Sequence, residues 1–310
     1  MCLSNNPKEP VNFHHTTLVG LEVQGVGADG KPVNQRILGY SNVMAIPQVI
    51  ATAGNAMLLA VPAAPGSLGA SSLIPLATYP HIFHDFAQAI KTHVALSSNS
   101  RGADNGAVVV SGYDAGLYDV VIASSATAIA RALTSGKVSS SKTPVLNQVM
   151  YDQLDKLYPG FSFLLFCFDP KDSGKVGGVM VQYTPMSGSE DIIFLPGLDG
   201  HNGSIDSSMV ALDHTIVVGS YRMEEDTGSV PWFSDPGVAE SLPQLLCEVI
   251  GMSIPAGTVA PQGDFVARID EVCQGTFNVK REKPPGWADV FGAADSQEQP
   301  FYIKERTSGF

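Results

Sequence analysis

Hydrophobic and polar positions along this chain alternate in short runs far more often than they recur at helical spacing. Ten segments rich in β-branched and apolar residues, each bounded by Gly, Pro or Asp, read as strands. They are TTLVGLEVQ, QRILGYS, NAMLLAVP, GAVVVSGY, LYDVVIAS, FSFLLFCF, GGVMVQYT, DIIFLPG, DHTIVVGS and DFVARIDEV. Three segments carry a helical period. HIFHDFAQAIKTHVAL places Ile82, Phe83, Phe86, Ile90 and Val94 on one face, and SSATAIARALTSG has serine caps before it and Gly136 after it. In TPVLNQVMYDQLDKLYPG, Thr143 reads as the N-cap and Pro144 as the first helical residue, with Pro159-Gly160 as the stop. Val145, Leu146, Val149, Met150, Leu154 and Leu157 then form its expected buried face.

These elements predict an α+β protein dominated by antiparallel sheet, as two β-lobes or one distorted sandwich, with about three packing helices. The expected division is a first β-rich lobe over 1–140, a second over 141–280 and a C-terminal tail over 281–310. Residues 18–67 and 161–204 have similar grammar, strand, strand, loop, strand and Gly-rich loop, which either a diverged duplication or ordinary hairpin statistics would produce. SSNSRGADNG (97–106) reads as a mobile loop. The tail holds Trp287, Phe291, Phe301 and Tyr302, enough aromatic surface to dock on the body or on a partner, with a loose, disordered terminus as the alternative.

Composition sharpens the picture. The 310 residues are 44% hydrophobic and 15% charged, which favours buried strands over long solvated helices. A net charge of −12 without a Lys/Arg cluster argues against nucleic-acid and anionic-membrane partners. No apolar run approaches the ~18 residues of a membrane span, and MCLSNNPKEPVNFHH lacks the marks of a secretory signal, so a cytoplasmic location is expected. Cys2, Cys167, Cys247 and Cys273 have no CxxC spacing, and the apolar settings of Cys167 and Cys247 suit reduced structural thiols.

Several motifs fail on context. GVGADG (25–30) fits GxGxxG, but a dinucleotide site needs a helix next and KPVNQRIL continues as strand, so Asp29-Gly30 reads as a hairpin turn. SGK occurs at 135–137 and 173–175 without the upstream glycine of a P-loop, and there is no GxSxG, HExxH or EF-hand pattern. A catalytic Cys2 exposed by loss of Met1 needs a strand to launch it, whereas LSNNPKEP reads as loop. No motif names a cofactor.

The suggestive stretch is IFLPGLDGHNG (193–203), where a buried strand runs into a loop carrying Asp199 and His201. Asp213 and His214 follow in LDHT. If DIIFLP and DHTIVVG are antiparallel neighbours, Asp199, His201 and His214 come together with the chemistry of a two-His, one-carboxylate metal site. The usual oxygenase order, His two residues before the acid, is reversed here. Turn chemistry is the competing reading, with Asp199 capping amides of its own turn. His81 and His84 in HIFHD lie one helical turn apart, which suits a ligand pair or simply an exposed helix start.

Three phrases, NAMLLAVP at 55–62, FLPGLDGHNG at 194–203 and DHT at 213–215, together resemble a family of uncharacterised bacterial cytosolic proteins. The likeness spans roughly residues 18–220 and implies no activity. A fainter resemblance is to accessory peptide-binding proteins of crocagin-type modified-peptide pathways. With no catalytic constellation evident, the expected function is a non-catalytic accessory protein that binds a peptide or protein partner and presents it to other enzymes. The alternative is a metal-dependent enzyme of non-haem iron type built on Asp199, His201 and His214.

Overall fold

The computed structural model describes residues 2–4, 11–27, 30–45, 53–77, 79–90, 108–223, 230–231, 242, 245, 247–292 and 301–304. The 97–106 segment and the continuation of the first helix past Ile90 lie outside them. Within them the protein is α+β and β-rich, with two six-stranded sheets face to face.

The first sheet runs, in spatial order, β10 (Asp199–Gly200), β1 (Cys2–Ser4), β4 (Asn55–Val61), β7 (Ser162–Phe168), β6 (Tyr118–Ala123) and β5 (Val108–Tyr113). The second runs β13 (Val230–Pro231), β14 (Glu248–Ser253), β12 (His214–Ser220), β2 (Asn12–Val26), β3 (Pro32–Ala45) and β8 (Val176–Tyr183). Both draw strands from either side of residue 140. Strands β4 and β7 are buried along their whole length, as expected for near-continuous apolar runs covered on both faces. Contacts such as Tyr118 Oη to Met44 Sδ (3.7 Å) and Asn42 Nδ2 to Met57 Sδ (3.5 Å) cross between the two sheets. A smaller sheet, β18 (Phe301–Lys304), β17 (Asn278–Glu282), β16 (Asp264–Arg268) and β9 (Ile192–Leu195), packs on the second. A Cβ on Gly20 of β2 would stand 2.2 Å from Ile193, so this close approach needs glycine.

Helix α1 (Ile82–Ala89) covers the far face of the second sheet, with Phe83 over Gly39 and Gly178. Helix α2 (Ala126–Thr134) covers the far face of the first at β6 and β7, and α3 (Gln148–Leu157) packs on α2. Ser125 caps α2 by accepting from Ala128 N, and Asp155 of α3 accepts from Ala126 N and Thr127 N, tying the helices together. Two short helices follow, α4 (Ile269–Cys273) and α5 (Trp287–Phe291).

All ten expected strands are present, with differences at their ends. DFVARIDEV leaves the sheet after Arg268, and IDEV begins α4. Helix α3 starts later than expected, because Asn147 rather than Thr143 is its N-cap, accepting from Met150 N at 3.3 Å. Met150, Leu154 and Leu157 are buried, but Val149 is 72% exposed and Leu146 47%. Leu3 and Ser4, expected as loop, belong with Cys2 to a strand between β4 and β10. GVGADG does precede a strand: Val26 pairs with Pro32 and Gly30 takes φ +80° in the hairpin turn. The two similar-looking regions pair differently, since β2 and β3 form a hairpin while β7 and β8 lie in separate sheets. In the tail, Trp287 is buried at 1% exposure and β18 forms an edge strand. Among the described residues no helix is long and apolar enough to cross a membrane.

Candidate functional site

The LPGLDGHNG loop is clamped from below by groups that the third sheet supplies. Gly197 N donates to Asp264 Oδ1 at 2.8 Å, and Gly197 O accepts from Arg281 Nη2 at 3.0 Å. Two residues on, Gln262 makes both backbone bonds that a neighbouring strand would make, accepting from Asp199 N (2.9 Å) and donating to Asp199 O (2.6 Å). Arg281 also donates to Pro261 O at 2.5 Å and stacks 4.6 Å from the Phe265 ring. Asp264 is 1% exposed and accepts from Tyr158 Oη at 2.8 and 3.0 Å. Burial pushes its carboxyl up to about 6, against the opposing pull of those hydrogen bonds and of Arg281. Together these bonds hold the loop backbone in one shape.

The four residues singled out from the sequence separate into two groups. Asp199 Oδ1 lies 2.9 Å from His201 Nε2, and the His201 ring meets Phe13 edge-on at 5.7 Å. His214 lies behind them, 5% exposed, with Nδ1 accepting from Asp213 N and its ring 5.6 Å from Phe265. Burial, with Arg281 and His201 nearby, drives its pKa well below the usual imidazole range, so it stays neutral at pH 7. Asp213 turns the other way, accepting from His15 N at 2.9 Å and facing His15 Nδ1 at 3.5 Å. The expected strand pairing is corrected: β9 pairs with β16, and β12 lies between β2 and β14. Among the described residues no three His, Cys, Asp or Glu side chains gather as a metal-ligating group. Nor does Asp199 cap its own turn, a role that Asn202 and Asp206 play toward Ser204 and Ser208.

Just past this loop the chain forms a two-stranded ribbon, β11 (Met209–Leu212) with β15 (Thr258–Pro261). Among the described residues neither strand pairs with a third. The alternation is regular: Leu212 and Ala260 face inward and are buried, whereas Met209 is 55% and Val259 57% exposed. Ala211 sits opposite Val259 and Met209 opposite Pro261, so one face of the ribbon presents apolar side chains to solvent. Asp206 and Asp213 flank β11, and no Lys or Arg occurs over 202–221 or 249–267.

No family model matches the chain, and no curated protein matches it. Among solved structures it is similar to baculovirus P35, at 14% identity and a TM-score of 0.37 over 73% of this chain and 68% of that one. It is also similar to a mutated baculovirus P35 after caspase cleavage, at 11% identity and a TM-score of 0.42 over 83% of this chain and 98% of that one. These are distant likenesses in chain path.

Sequence reasoning alone does not find Asp264, Arg281, Gln262 and Tyr158. The bonds that tie Gln262, Asp264 and Arg281 to the loop, and Tyr158 to Asp264, span 63 to 106 residues, beyond any local spacing rule. One signal is available: Asp264 opens an apolar strand, and a carboxyl there must find partners.

Proposed function

We propose that this chain is a non-catalytic cytoplasmic protein that binds an extended peptide segment of a partner and presents it to other enzymes of a biosynthetic pathway. The observation that supports the reading is the β11–β15 ribbon, with strand edges that no third described strand occupies and an apolar outer face. An added strand would satisfy backbone groups along one edge, while alternate side chains of the peptide rest against Met209 and Val259. Natural sheets usually blunt such edges with lysine, proline or a covering element. Here β15 ends in such a proline, Pro261, while β11 has none and is flanked by Asp206 and Asp213. Those charges, within a protein of net charge −12, favour a segment bearing Lys or Arg beside its apolar residues. The resemblance to crocagin-type accessory proteins is in keeping with this role.

Fluorescence anisotropy tests the proposal, using precursor peptides encoded beside the gene and synthetic peptides that alternate apolar and basic residues. Binding is expected to weaken with salt yet persist at high ionic strength, because apolar burial is not screened. Turnover of a small molecule by the protein alone, with no peptide bound, would overturn it.

A further inference from the structure

On the other side of Asp213, an open-sided cavity of about 560 Å³ lies between α1 and the outer face of β2, β3 and β8. Its size falls in the range of small-molecule sites. The floor is apolar: Phe83, Leu76 and Val43 line it, with Val176 at the rim, and Phe83 packs against the sheet because β8 has glycine beneath the ring. A Cβ at Gly178 would stand 2.6 Å from that ring. Among the polar lining residues Asp114 is the one carboxylate, while His15, His81, His84, Thr17, Ser41 and Asn42 carry groups that both donate and accept. Among the described lining residues there is no Lys or Arg.

Asp114 is held in place by the turn that joins β5 to β6. It takes φ +51°, a conformation that Asp and Asn tolerate better than most residues, and Oδ2 accepts from Gly178 N at 3.2 Å on the outer edge of β8. His15 sits in the irregularity that breaks the β2–β3 register between His14 and Thr17, and Asp213 orients it. The lining is therefore an apolar bed beside a polar wall that carries one carboxylate and no Lys or Arg.

We propose that this cavity binds a small organic ammonium ion with an apolar body, its charge toward Asp114 and its body over Phe83. A carboxylate ligand would meet the Asp114 charge, and an uncharged one would leave that carboxylate without a cation. Desolvation already raises the Asp114 pKa, and a bound cation would offset that cost to the ionised form.

Titration calorimetry on the full chain tests this with three probes of matched shape: 2-phenylethylammonium, 2-phenylethanol and 3-phenylpropionate. The ammonium is expected to bind about tenfold or more tightly than the alcohol, and the carboxylate not at all, as one charge contact at a partly buried site provides. Asp114→Asn suits the same backbone conformation and is expected to reduce ammonium affinity to the level of the alcohol. Val176→Lys, at a rim position 69% exposed, places a cation at the mouth and is expected to weaken the ammonium without disturbing the fold. The proposal is overturned if the carboxylate binds as well as the ammonium, if both variants bind the ammonium like the parent, or if none of the probes binds at millimolar concentration. None of these outcomes depends on the ribbon.

Discussion

Asp264→Asn isolates the carboxyl that anchors the LPGLDGHNG loop, and its effect should depend on pH in a direction the structure fixes. Asp264 is 1% exposed, and burial raises its carboxyl from the ordinary 3.8 to about 6. A carboxyl with a raised folded-state pKa binds its proton more tightly when folded. Its stabilising contribution is complete below pH 3.8 and is lost as the pH rises through 6. That displacement corresponds to about 3 kcal/mol at about 1.36 kcal/mol per tenfold change in proton affinity. Urea denaturation of parent and variant between about pH 4 and pH 7 measures it, because the difference between the two removes every other titrating group to first order. The parent should lose most of it, about 2 kcal/mol, relative to the variant across that window. A difference independent of pH, or one of opposite slope, would refute the assignment of burial as the dominant influence on this group.

Two further substitutions test the framework around the site. Glu22 is fully buried, accepting from Arg222 Nη2 at 2.7 Å, Arg222 Nε at 2.8 Å and Ser220 Oγ at 2.6 Å, with Arg36 at 3.5 Å. Glu22→Gln should cost about 3 to 5 kcal/mol by chemical denaturation, since it leaves Arg36 buried without its counter-ion. Gln262→Ala removes both clamps on the Asp199 backbone and should cost about 1 to 3 kcal/mol, with faster amide exchange at Asp199 than at distant strands.

Much of the fold is legible in the sequence because strand signals are local. NAMLLAV and SFLLFCF are apolar at every position or nearly so and form strands buried along their length, and Ser125 and Gly136 mark the ends of α2 as their chemistry requires. The start of α3 is not legible in this way, because Thr143-Pro144 is as good a helix opening as Asn147. What decides is tertiary: Asn147 Nδ2 donates to Gly203 O at 2.7 Å. The short strands β10, β11 and β15 carry little pattern of their own and exist through their partners. The site is legible in part. Asp199 and His201 do meet, but their relation to His214 rests on which strands pair, and hydrophobic runs alone do not specify pairing partners. Asp213, grouped with His214 by its place in the chain, belongs with His15, because it sits at the joint between β11 and β12 and its carboxylate accepts from His15 N.

The most direct test of the peptide-binding account is hydrogen–deuterium exchange of the protein with and without a saturating apolar–basic peptide. Strand addition predicts slowed exchange along one edge of the ribbon, at residues 209–212 or 258–261, and loss of that protection together with the peptide affinity in Val259→Ser. Protection confined to some other part of the molecule, with Val259→Ser binding as the parent does, would contradict it.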